Sequence, residues 1–145
     1  MAIDSNSLFQ VASTAVVPGW LLLAAAPRWR PTRLLVRSGA LSLLLSGLYL
    51  VLILFYYPGA AGGFGSLAEV ARLFESRPLL LAGWVHYLAF DLFVGAWETG
   101  DAETRGLSHL FVVPCLALTF LFGPIGLLAY FTVRAIAAKP PKAAA

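Results

Sequence analysis

His86, Asp91 and Glu98 stand inside or at the edge of an apolar run, residues 78–98, that is long enough to cross a bilayer. An ionisable side chain at that depth marks a functional site by default, because an aspartate at the centre of a membrane helix costs roughly 2.5–3.5 kcal/mol. Successive helical residues turn by about 100° and rise by about 1.5 Å. Asp91 and Glu98 therefore share a face, about 10 Å apart along the axis, which is too far for two carboxylates to share one proton. His86 lies about 140° around the helix from Asp91.

Three roles fit these residue types. His86 and Asp91 act as a general acid and base in an apolar pocket, where desolvation tunes both groups. Alternatively they are polar residues satisfied by neighbouring helices, or they join His109 in a metal or haem site. The i+5 spacing of His86 and Asp91 is poor for two ligands on one helix, and no metal or cofactor is assigned. Ser108 beside His109 does not read as a nucleophile, because no Gly-x-Ser-x-Gly elbow surrounds it and adjacent helical residues do not face each other.

The elements that must position these side chains are membrane helices. Of the 145 residues, 60% are hydrophobic and 12% charged, and the mean hydropathy is +0.84. That composition reads as one integral, multi-pass membrane domain over residues 1–145, with the bilayer itself as a partner. Its fold class is all-α, a bundle of four spans near residues 7–26, 32–57, 78–98 and 107–136. Ser66 followed by Glu69 has the form of a capping box and predicts a short surface helix over 66–77. Residues 138–145 are expected to form a flexible tail. Pro114 and Pro124 predict kinks in the last span or a break near Gly123.

Arg and Lys residues flank the apolar stretches, so the formal charge of +3 reads as membrane anchoring, with no nucleic-acid surface. Arg28, Arg30, Arg33, Arg37 and Arg105 fall on one side; Arg72, Arg77, Arg134, Lys139 and Lys142 fall on the other, and the positive-inside rule returns a tie. Cys115 is the only cysteine, which excludes an internal disulfide and a thiolate metal cluster. Asp4 without a preceding Lys or Arg is unlike a secretory signal, so the first apolar run is expected to remain as a span. Ser38, Ser42 and Ser46, with Gly39 and Gly47 beside them, make one face of the second span small. Small faces let helices approach closely, within the bundle or between two copies.

The string from Gly83 to Phe93, Gly-Trp-Val-His-Tyr-Leu-Ala-Phe-Asp-Leu-Phe, is followed by Glu103-Thr104-Arg105 and by Phe122-Gly123-Pro124-Ile125-Gly126. In these motifs the chain resembles the ABA-deficient-four family, whose plant members are chloroplast membrane proteins required to make neoxanthin from violaxanthin. The resemblance spans nearly the whole chain and, without a plastid transit region, implies a bacterial member in the cytoplasmic membrane. It departs from the plant pattern at Gly106 and Leu107.

The implied activity is a carotenoid epoxide isomerisation: an epoxide opens while a proton leaves the adjacent polyene carbon, giving an allene and a tertiary hydroxyl. Such a reaction needs one acid and one base, for which the resemblance offers Asp91 and His86 in either order. Trp84, Phe90, Phe93 and Glu98 are the expected contacts to a carotenoid or other isoprenoid. Glu103, Thr104, Arg105 and Pro124 complete the motif, and a capping role suits Glu103 and Arg105 better than catalysis. The competing reading is a non-catalytic membrane component, packed against a second copy or a partner enzyme, whose polar residues are structural.

Overall fold

The computed structural model describes residues 4–137, so Lys139, Lys142 and the expected tail lie outside the described residues. Within them the chain is all-α. The helices are α1 (Ser5–Ala25), α2 (Ala40–Tyr56), α3 (Leu67–Glu75), α4 (Arg77–Thr104), α5 (His109–Phe122) and α6 (Pro124–Ala137), and a wide π-type turn, Thr32–Arg37, precedes α2. Two of these, α1 and α4, are long and apolar enough to cross a membrane, whereas α2, α5 and α6 are shorter apolar helices.

Local chemistry explains the boundaries. Asp4 caps α1 by accepting from the Asn6 and Ser7 N–H groups and from the Ser7 hydroxyl. That hydroxyl first, then the Asn6 amide, holds the Asp4 carboxyl below the usual aspartate range. In α3 the Ser66 hydroxyl accepts from Glu69 N–H at 3.2 Å, and the Glu69 carboxylate accepts from Gly65 N–H at 3.0 Å. The box is therefore reciprocal but closes on Gly65 in place of the cap residue.

The expected span over 32–57 is divided. Gly39 takes a left-handed conformation, φ 82°, and the α2 hydrogen-bond ladder starts at its carbonyl, which accepts from Leu43 N–H at 2.8 Å. A side chain at that φ is strained, so Gly39→Ala is expected to destabilise by about 1 kcal/mol. Gly47, inside α2 with nothing within 4 Å of an added Cβ, should instead tolerate or gain from alanine by up to about 1 kcal/mol. Thermal unfolding of both variants in one detergent checks the opposite signs.

Thr99 to Gly106, expected as a polar link, continues α4 as far as Thr104. Thr104 Oγ1 donates to the Asp101 carbonyl at 2.8 Å and Arg105 Nε to the Asp101 carboxylate, which closes the last turn before Gly106 at φ 63°. The break expected near Gly123 is present, with φ 49° and ψ −98° between α5 and α6, while Pro114 lies within an uninterrupted α5.

Helix α4 is the centre, packed against α2, α1, α5 and α3. Leu23, Val85, Leu92, Val112 and Tyr130 are fully buried around it. Outside, Leu43, Leu44, Phe55, Leu110, Leu128 and Ile136 are each more than two-thirds exposed. An apolar outer surface of this kind suits lipid, since soluble monomers rarely expose large contiguous apolar patches.

Candidate functional site

Two faces of α4 carry the sequence-predicted residues of this run, and they meet different neighbours. His86, Phe90 and Phe93 fall on one stripe, turned towards α2. The His86 ring stacks on Phe90 with centroids 4.6 Å apart and meets Tyr49 of α2 at 5.6 Å. A groove of about 270 Å³ lies between the two helices, lined by Phe90 and Phe93 on α4 and by Ser42 and Ser46 on α2. Gly39 and Ser38 close one of its ends. His86 is exposed, and with Tyr49 it lies outside the lining of the groove, about one helical turn beyond Phe90 and Ser46. A phenol and an imidazole at this separation have the chemical types needed to give and take one proton.

Asp91 faces the other way. A Cβ added to Gly123 would stand 2.9 Å from Asp91 Oδ1, so the carboxylate packs directly on the backbone at the start of α6. There the helix dipole favours negative charge. Its Oδ2 atom is buried with no hydrogen-bond partner among the described residues. The structure thus does not bring Asp91 and His86 onto one face. Glu98, two turns on, is fully buried and receives the Thr119 hydroxyl, which lies 3.0 and 3.2 Å from its two oxygens. One hydroxyl carries one proton, so it serves one of those oxygens at a time.

Trp84, seven residues before Asp91, lies on the Asp91 and Glu98 stripe, nearer the start of α4. Its Nε1 donates to Ser13 Oγ of α1 at 2.9 Å, and its ring stacks on Tyr87 at 5.3 Å beside a cleft of about 680 Å³ lined by Phe9, Phe74 and Leu80. It therefore does not share the groove with Phe90 and Phe93.

The downstream motif assembles a polar end to the bundle. Glu103 pairs with Arg37 at 2.5 Å and with Arg28 at 3.6 Å, tying the end of α4 to the segment between α1 and α2. Arg105 Nε lies 3.0 and 2.9 Å from the two Asp101 oxygens. Asp101 also receives the Tyr130 hydroxyl at 2.7 Å and Arg134 at 3.2 Å, which fastens α6 to the same end. Pro124 opens α6 directly after the Gly123 break. His109 Nε2 stands 2.9 Å from the Ala24 carbonyl oxygen, joining the start of α5 to the end of α1, near Thr99 and Glu103. Among the described residues no three His, Cys, Asp or Glu side chains are grouped to hold a metal ion.

The family model described as ABA DEFICIENT 4-like matches residues 7–130, which takes in every face just described. The chain belongs to this family. Among curated proteins, the ABA4-like chain is similar to Protein ABA DEFICIENT 4, chloroplastic, of Arabidopsis thaliana, 28% identical over 140 residues. The alignment covers 91% of this chain and 62% of the plant protein, so the chain spans less than two-thirds of that relative. No solved structure matches.

Tyr49 was missing from the residues singled out in the sequence. Its signal was available: it follows Ser42 and Ser46 by seven and three residues, the spacing of one helix face. Asp101 was also missed because its segment reads as a polar link, although Arg105 four residues later is the spacing of a helical ion pair.

Proposed function

We propose that this ABA4-like chain is a multi-pass membrane protein that binds an apolar, oxygenated isoprenoid of the carotenoid class and isomerises its epoxide in the groove between α2 and α4. The observation that carries the reading is the groove itself: an apolar slot flanked by Phe90 and Phe93, with the paired rings of His86 and Tyr49 outside its lining, about one helical turn beyond Phe90 and Ser46. Crossings by α1 and α4 are supported by their length and apolar composition. The turn Thr32–Arg37 with α2 makes a stretch longer than the roughly 20 residues that span a bilayer, whereas α5 and α6 fold back on each other at Gly123, so that Tyr130 and Arg134 return to Asp101 at the end of the bundle where α5 begins.

The chemistry balances without a redox partner. Tyr49 gives its phenolic proton to the epoxide oxygen as the bond from that oxygen to the polyene-bearing carbon breaks, leaving a tertiary hydroxyl. The neutral imidazole of His86 takes the proton from the adjacent polyene carbon, and the electrons of that C–H bond form the new double bond of the allene. The imidazolium then returns a proton to the phenolate. Both side chains end as they began.

Purified chain in lipid nanodiscs, supplied with violaxanthin, should yield an isomer of unchanged mass with the allenic chromophore. Unchanged violaxanthin at high protein occupancy overturns the catalytic reading.

A second reading is favoured by the position of Asp91 at the α6 N-terminus: a carboxylate kept for structure. On that basis Asp91→Asn should leave turnover within about threefold of wild type while lowering the unfolding temperature, because a charge–dipole contact of about 0.3–2 kcal/mol is lost. A loss of turnover of about a hundredfold or more with normal stability would return the acid role to Asp91.

A further inference from the structure

We infer that the groove recognises an oxygen-bearing ring end of its neutral ligand through the Ser42 hydroxyl, which makes Ser42 a specificity-determining residue; the inference rests on the isoprenoid reading above. A row of small residues is no site by itself. What marks Ser42 is that its Oγ is buried without a hydrogen-bond partner, in a residue only 6% exposed that lines the groove.

The other two serines of the row are already served. Ser38 donates to the Leu34 carbonyl at 2.6 Å and Ser46 to the Ser42 carbonyl at 2.9 Å. The equivalent acceptor for Ser42 is the Ser38 carbonyl, but the ladder of α2 begins one residue later, at Gly39. The left-handed turn at Gly39 thus leaves one hydroxyl unspent, facing a slot rather than a backbone carbonyl.

The slot sets the size and charge of its occupant. Its 270 Å³ compares with about 30 Å³ for each water in the liquid, so it admits about nine or ten non-hydrogen atoms. That is a substituted six-membered ring, not a whole polyene. The lining carries aromatic rings, small residues and hydroxyls, with no charged side chain. An ionic headgroup would enter without compensation. Ser42 and Tyr49 are two turns apart, about 10 Å along α2, so a ring held at Ser42 by the hydroxyl on its far side points its opposite edge, where epoxide and conjugated chain meet, towards Tyr49 and His86.

The test is equilibrium binding of zeaxanthin and β-carotene to the full chain in nanodiscs. The two probes share one polyene and differ by the ring hydroxyls, and neither has an epoxide, so binding is read apart from turnover. Wild type should prefer zeaxanthin by about fivefold, within the roughly 2- to 13-fold expected of one neutral hydrogen bond. Ser42→Ala should abolish the preference without changing β-carotene affinity. Ser42→Thr, which restores a hydroxyl, and Ser46→Ala, whose hydroxyl is already spent, should both keep it. Ser42→Leu should weaken both probes by about tenfold or more.

Wild-type preference retained in a normally folded Ser42→Ala overturns the inference and leaves the polyene groove standing. Equal affinity of the wild type for both probes does the same. Binding of neither probe overturns the inference and the proposed function together. Efficient Ser46→Cys cross-linking of two copies in membranes would show the groove covered by a second chain, and that also overturns it.

Discussion

Replacing His86 with alanine is expected to lower epoxide isomerisation by about 10²- to 10⁴-fold, the usual contribution of a positioned acid or base. Binding should weaken far less. The His86 ring also stacks on Phe90 at 4.6 Å, and one stacked pair contributes about 0.5–1.5 kcal/mol, so affinity for violaxanthin should fall by no more than about tenfold. Tyr49→Phe keeps the ring and removes only the proton donor, so it should lose turnover on the same scale with affinity unchanged. If the two side chains pass one proton between them, the double variant should be scarcely worse than either single, because residues that act as a unit are not additive. Single-turnover rates and binding isotherms, measured on the same nanodisc preparations, separate the two effects. A His86→Ala protein that still turns over within about tenfold of wild type would remove the base from this groove.

Helical arithmetic alone separated the chemistry of α4 into its faces. The 140° between His86 and Asp91, and the shared face of Asp91 and Glu98, were legible because α4 is a regular helix through that region. What each face meets was not legible, since it depends on which neighbour packs there. Tyr49 across from His86, and Thr119 across from Glu98, are tertiary facts. So is the contact of Asp91 with Gly123, which requires α5 to end where it does. The Gly39 break in the second span escaped for a different reason: a glycine beside serines is compatible with a continuous membrane helix, and only the folded chain places that residue at φ 82°. Thr99 to Thr104 were misjudged because polar composition suggests a loop, whereas Asp101 binds Arg105, Tyr130 and Arg134 and holds those residues helical.

The same tertiary logic makes Gly126 the position where one methyl group should do the most structural damage. A Cβ there would stand 2.1 Å from both the backbone nitrogen and the hydroxyl of Thr119, so α5 and α6 must separate to admit it. Overpacking of this kind costs about 1–3 kcal/mol. Thr119 also carries the hydrogen bond to the fully buried Glu98. Displacing it leaves that carboxyl without its partner, at a further cost of about 1–3 kcal/mol. Gly126→Ala is therefore expected to destabilise by about 2–6 kcal/mol, enough to empty the monodisperse fraction in detergent at ordinary temperature. Thr119→Ala alone should cost only the second of these contributions. In the double variant the hydroxyl is gone and the Glu98 partner is lost only once, so the penalties should add to less than their sum. The hydrogen bond then sets the size of the coupling, and Glu98→Gln, which also accepts from Thr119, should preserve it. Strict additivity in that cycle would mean that Gly126 supports only the α5–α6 contact and that Glu98 is held by other means.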